Sequence, residues 1–149
     1  MRAAREEQHV TDDAGAVTAA RTAHGDDVVE LRLPADGAYL SVLRTATAGL
    51  AARLDFTLDE IEDLRIAVDE ACALLLPDAV RDNEMTCVFS LAAEALSVTV
   101  SVPSRTGRVP RRNTFAWTVL TALAGEVDAA AGSDGTVSVT LVKQRGGRA

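Results

Sequence analysis

At 149 residues the chain has the length of one domain, enough to bury roughly 70% of its unfolded surface without disulfide or metal support. It is 48% hydrophobic but only 3% aromatic, which predicts an aliphatic core. The net charge of −7, from 22 acidic and 15 basic side chains, argues against direct nucleic-acid binding, which needs Lys and Arg to neutralise phosphates. Cys72 and Cys87 sit among apolar neighbours at neither a C-x-x-C nor a metal-ligand spacing, so both are expected as buried free thiols and no metal site is expected. No apolar run approaches the roughly 20 residues of a membrane helix, and the first residues lack the basic-then-apolar order of a signal peptide. A reducing cytoplasm is the expected location.

Residues 1–26 are rich in Ala, Asp, Glu, Thr and Gly without a sustained period and read as a flexible leader. The run 27–33 alternates apolar and polar residues as a half-buried strand does. After the break at Pro34 and Gly37, a helix is predicted over about 37–54. It places Leu40, Leu43, Ala46, Thr47 and Leu50 on one face, with Arg44 and Arg53 on the other. The next helix opens on Thr57 and Glu60, which have the spacing of a capping box. Asp59, Glu60, Glu62 and Asp63 suit the positive end of its dipole. Leu58, Ile61, Leu64, Val68, Ala71 and Leu75 make its expected core stripe, and Pro77 ends it.

Asp82 and Asn83 are turn chemistry, and 86–91 with 96–102 read as a hairpin. The loop 103–112 carries Arg105, Arg108, Arg111 and Arg112. Such a run is solvated by default, yet it is suited to gripping phosphate or an acidic surface. A helix over 114–124 is stopped by Gly125, with Phe115 and Trp117 expected in the core. A short strand at 127–131 and a clearly alternating one at 136–142 follow, then a polar tail at 144–149. His9 and His24 have no ligand partners at a useful spacing. The order strand, helix, helix, strand, strand, helix, strand, strand implies an α+β domain over 27–143. Its form would be a two-layer α/β sandwich with a mixed, mostly antiparallel sheet and helices on one face.

The stretch D-E-I-E-D-L-R-I-A-V-D-E-A-C at 59–72, preceded by Y-L-S-V-L-R-T at 39–45, resembles the nucleotide-binding domain of RsbW/SpoIIAB-type anti-sigma factors. These are serine kinases of the GHKL superfamily (gyrase, Hsp90, histidine kinase, MutL), and the likeness runs over about 28–142. The resemblance implies a Bergerat-type ATPase fold and a role in partner switching. In that role a sigma factor is held away from RNA polymerase until a STAS anti-anti-sigma protein competes for the same regulator. It also implies that Arg44 contacts both partners, with Tyr39, Leu40 and Leu43 beside it. Glu70 would correspond to the general base for the partner's serine; its alternative is a helix carboxylate kept for partner contact or solubility.

The chain departs from the family at three places. Where the family carries an Mg²⁺-coordinating Asn, four residues after the glutamate, this chain has Leu74, and Asp78 lies beyond Pro77. The D-x-G-x-G box falls on V-P-S-R-T-G at 102–107, with Gly107 as its one candidate glycine. The G-x-G box falls on 114–117, where Thr114 and Ala116 replace the glycines, and the connecting loop is short. Together Glu70, Leu74, Asp78, Gly107, Thr114 and Ala116 are expected to form a degenerate nucleotide site. No cofactor is then required.

The leading expectation is an anti-sigma factor that sequesters an alternative sigma factor and is released by a STAS protein or another signal, without phosphorylation. Two alternatives stay open: an active serine kinase using Mg-ATP, and a ligand-sensing pseudo-kinase with a remodelled pocket. No nucleic-acid or membrane partner is expected, and a homodimer, as in relatives, is left open.

Overall fold

Six stretches pair into one open sheet in the computed structural model of the chain, whose described residues are 16–21 and 26–146. The strands are β1 (Ala16–Arg21), β2 (Asp27–Pro34), β3 (Glu84–Leu91), β4 (Ala95–Pro103), β5 (Glu126–Ala131) and β6 (Thr136–Gln144), in spatial order β1-β2-β3-β4-β6-β5. Every pairing is antiparallel, in line with the mostly antiparallel sheet expected. Strand β1 falls inside the stretch read as leader and pairs with β2 from Ala16↔Arg32 to Arg21↔Asp27. Its sequence, AVTAAR, has too little apolar alternation to announce a strand; it is defined by the edge of β2 that it meets. Residues 1–15, 22–25 and 147–149, with His9 and His24 among them, lie outside the described residues.

The period-two pattern sorts the sheet into two faces. Leu31, Leu33, Met85, Cys87, Phe89, Leu91, Leu96, Val98, Val100, Val102, Val137, Val139 and Leu141 are buried in one core with the helices. The residues between them, such as Thr86, Ser97, Thr99, Ser101 and Thr140, line the opposite face, where the Thr99 and Thr140 hydroxyls meet at 2.9 Å. Helices α1 (Leu40–Arg53), α2 (Leu58–Leu75) and α3 (Phe115–Ala124) cover the apolar face, and α2 packs against both of the others. This is a two-layer α+β sandwich.

The expected stripe of α2 holds at Leu64, Val68, Ala71 and Leu75, all buried, and partly at Ile61. Leu58 departs from it, with 84% of its surface exposed. It sits six residues before Leu64, and at about 100° per residue it points roughly 120° off the stripe. In α1 the buried Thr47 is satisfied internally, its Oγ1 donating to the Leu43 carbonyl at 2.8 Å. The end of α1 is a Schellman turn: Asp55 takes the left-handed conformation (φ 64°), and the Phe56 N–H reaches the Ala51 carbonyl at 3.2 Å. That turn buries Phe56 and points the chain into α2.

Candidate functional site

Helix α2 carries Glu70 and Leu74 and packs against both α1 and α3. Its start is held by the capping box: Thr57 Oγ1 accepts from the Glu60 N–H at 3.1 Å, and Glu60 Oε1 accepts from the Thr57 N–H at 2.8 Å. The second carboxylate oxygen of Glu60 accepts from the Gly146 N–H at 2.8 Å, which draws the end of β6 onto the start of α2. The Thr57 N–H chiefly, with that of Gly146, holds the Glu60 carboxyl below its ordinary range. One turn further on, Lys143 spans from Asp63 (3.5 Å) to the Leu123 carbonyl (2.8 Å) and so joins α2, α3 and β6.

The α1–α2 face carries the residues expected to meet partners. Arg44 Nη1 lies 3.0 and 3.1 Å from the two oxygens of Asp69, a half-exposed pair that fixes the guanidinium between the helices. Tyr39 is exposed and Leu40 is partly packed on the core. Leu43 was grouped with them but is fully buried, so it is a core residue and not a contact residue. Its position on the apolar stripe of α1 explains the difference: the same spacing that puts it beside Leu40 turns it toward the sheet.

At the far end of α2, Leu74 and Asp78 form one side of a cavity of about 450 Å³. Thr106 and the run Arg108, Val109, Pro110 and Arg111 form the other. Glu70 lies one turn before Leu74, hence on the same side of the helix, and is half-buried without a hydrogen-bond or ion-pair partner among the described residues. The loop after β4 is stitched to the end of α2. Arg105 Nη2 donates to the Pro77 carbonyl (3.0 Å) and to Asp78 (3.3 Å), while the Arg105 N–H donates to the Asp78 carbonyl (2.7 Å). The Val80 N–H in turn reaches the Pro103 carbonyl at 2.8 Å.

These contacts allow a test of whether Mg-ATP chemistry fits the residues present, and it does not. Mg²⁺ takes hard oxygen ligands, and Leu74 offers none where the family resemblance places one. Asp78 is engaged by Arg105. Three backbone donors of the loop are occupied: Ser104 Oγ accepts from the N–H groups of Thr106 (3.2 Å) and Gly107 (3.0 Å), and Thr106 Oγ1 accepts from that of Arg108 (3.2 Å). Gly107 keeps a left-handed φ of 68°, the one trace of a glycine box. At the start of α3, where a phosphate could use free N–H groups, Thr114 Oγ1 accepts from the Trp117 N–H at 3.2 Å. Ala116 adds a side chain where a phosphate loop would have bare backbone.

Trp117 is buried as expected, beneath Arg112, whose guanidinium lies 4.8 Å from the ring centroid and 2.7 Å from Asp128. That contact holds the Asp128 carboxyl below its ordinary range. Phe115 is not a core residue: 83% of it is exposed, because the first position of α3 faces away from the sheet. The thiols behave as expected. Cys72 and Cys87 are buried and free, and burial pushes Cys87 up to about 12 and Cys72 higher still.

An open antiparallel sheet with helices on one face, and a pocket between the end of its central helix and the loop after β4, match the GHKL-like fold that the sequence led us to expect. Within that class the chain is similar to RsbW proteins. It is 36% identical over 75 residues to the serine-protein kinase RsbW of Bacillus cereus (strain ATCC 10987), covering 49% of this chain and 47% of that one. It is 35% identical to RsbW of Bacillus mycoides, with the same coverage. The chain thus spans about half the length of the curated relatives it matches. A crystal structure of the RsbU and RsbW domains of a Mycobacterium tuberculosis protein superposes with a TM-score of 0.61 at 16% identity, covering 80% of this chain and 33% of that one. This second likeness concerns the fold alone. No protein-family model matches. Among the described residues no helix is long and apolar enough to cross a membrane.

Proposed function

We propose that the chain is a cytoplasmic anti-sigma factor of RsbW type that works by protein–protein competition and not by phosphoryl transfer. It would hold an alternative sigma factor on the α1–α2 face around Arg44, Tyr39 and Leu40. A STAS anti-anti-sigma protein or another signal would release it. The observation that carries this reading is the loop after β4, whose N–H groups are spent on Ser104 and Thr106 and whose arginine is spent on Asp78. Glu70 is then a retained helix carboxylate without a metal-bound nucleotide to work against, since a general base needs a positioned reaction partner.

Isothermal titration of the folded chain with Mg-ATP tests the reading. No heat at millimolar nucleotide is the expected result; tight stoichiometric binding would overturn it. The relatives are named as kinases, so the active-kinase reading remains the second one. Its signature is phosphate transfer to a STAS serine that disappears in Glu70→Gln. The partner face has a separate test in Arg44→Glu, which sets a second carboxylate against Asp69. Sigma binding should fall by about tenfold or more, as for an interface arginine, while the fold, which draws little from a half-exposed pair, remains.

A further inference from the structure

We propose that the arginine loop between β4 and α3 is a second protein-docking surface, which takes an acidic segment carrying an aliphatic side chain from a partner protein.

The argument starts from charge. The chain is acidic overall (−7), yet the loop from Ser104 to Thr114 holds four arginines and no carboxylate of its own. Two are neutralised inside the fold, Arg105 by Asp78 and Arg112 by Asp128. Arg108 and Arg111 are exposed, and neither side chain has a partner among the described residues. Both line the cavity closed on its other side by Leu74. A positive patch on an acidic protein gathers the field locally, so an acidic partner repelled elsewhere is steered here.

One exposed apolar residue shares the cavity wall with these guanidiniums, and a second follows the loop at the start of α3. Val109, in the cavity wall, is 41% exposed, and Phe115 is 83% exposed. The Thr114 hydroxyl donates to the Arg111 carbonyl at 3.4 Å, which ties the start of α3, and Phe115 with it, to the loop. A free loop arginine needs no apolar neighbour, and an exposed phenylalanine at a helix start adds nothing to the core. Together they match a ligand that presents carboxylates and an apolar group on one face.

The choice of carboxylate over phosphate follows from the backbone. Phosphate sites draw on free N–H groups at turns and helix starts. Here those of Thr106, Gly107, Arg108 and Trp117 already donate to side-chain hydroxyls. What the cavity wall itself presents is the guanidinium forks of Arg108 and Arg111, which pair bidentately with a carboxylate, beside the apolar Val109. This surface lies at the opposite end of α2 from the capping box and shares no residue with the proposed Arg44 face, so it is tested apart from the sigma-binding reading.

The test uses the full chain and a fluorescein-labelled peptide, Asp-Leu-Glu-Glu-Leu-Glu, with its Asn/Gln counterpart as control. Binding should be measurable for the acidic peptide only and weaken with salt. It should fall by about tenfold or more in the double variant Arg108→Glu/Arg111→Glu. Phe115→Ala should weaken it separately, and Arg44→Glu should leave it unchanged. Amide shifts in a ¹⁵N spectrum should concentrate at residues 105–115 and Leu74. No binding, equal binding of the control peptide, insensitivity to the double variant, or shifts mapping elsewhere would each overturn the proposal. So would pyrophosphate that competes with the peptide and binds more tightly through the same arginines, because the surface would then be a phosphate site. The circular dichroism spectrum of each variant shows whether it is folded.

Discussion

The two ends of α2 are secured by different chemistry. At its start, Thr57, Glu60 and Gly146 exchange hydrogen bonds whose donors are backbone N–H groups, and the Lys143 bridge is added one turn later. At its end, an arginine from another part of the chain reaches over the last turn, and hydroxyl side chains take up the donors of the facing loop. The first end follows a local pattern that any helix can use. The second rests on residues far apart in sequence, at the place where the family resemblance puts the nucleotide site. What the two ends share is the buried stripe of Leu64, Val68, Ala71 and Leu75, which serves packing whether or not chemistry takes place nearby. The packing of the central helix is therefore independent of what the residues at its far end do.

Removing the shared stripe should affect both ends most strongly. Leu64 is fully buried, so Leu64→Ala should cost about 2–5 kcal/mol in denaturant unfolding, through lost transfer energy and the cavity left behind. Leu74 is only partly buried against the core. Leu74→Ala should cost distinctly less, and equal losses would mean that the far end contributes to the core as much as the middle does.

The start of the helix comes next. Thr57→Ala removes the hydroxyl that accepts from the Glu60 N–H and should cost about 0.5–2 kcal/mol. Glu60 adds a pH dependence. Its folded carboxyl binds a proton less readily than the unfolded one. Its contribution is therefore whole above the unfolded pKa and is lost as the pH falls through the lower, folded value. In Glu60→Gln that part of the acid loss should be missing, so the gap in Tm to the unmodified chain should shrink steadily below the ordinary carboxylate range. A gap constant with pH would mean that the carboxylate acts only through hydrogen-bond shape.

How much of this was legible in the sequence follows from the range of each interaction. The capping box and the α2 stripe depend on residues within a few positions of each other, and spacing alone displays them; the three departures at Leu74, 102–107 and 114–117 show only against the family that the chain resembles. The departures come from contacts that spacing does not encode. β1 exists through pairing with β2, and Gly146 meets Glu60 across most of the chain. Leu43 shared a face with Leu40 in the helical count, yet only the position of the sheet showed that it is buried completely. Phe115 is apolar enough for the core, but at the first position of α3 it stays exposed. The arginine loop was visible as composition; which arginines are paired was not, because Asp78 and Asp128 belong to other elements.

The smallest expected effect lies at the far end of α2 and tests the comparison most directly. Arg105 and Asp78 are each about half exposed (55% and 50%), so solvent screens their attraction, and Arg105→Ala should change global stability by about 1 kcal/mol or less. Local order should respond far more. The guanidinium links Pro77 and Asp78 to a loop otherwise held by Ser104 and by a few backbone bonds. Amide hydrogen exchange at residues 104–109 should therefore speed up in Arg105→Ala, while the amides of Leu64 to Val68 keep their protection. Faster exchange along the whole of α2 would mean that the two ends are one cooperative unit. Unchanged exchange in the loop would mean that the hydroxyl bonds alone order it, and the arginine would then be free to serve, with Arg108 and Arg111, whatever docks there.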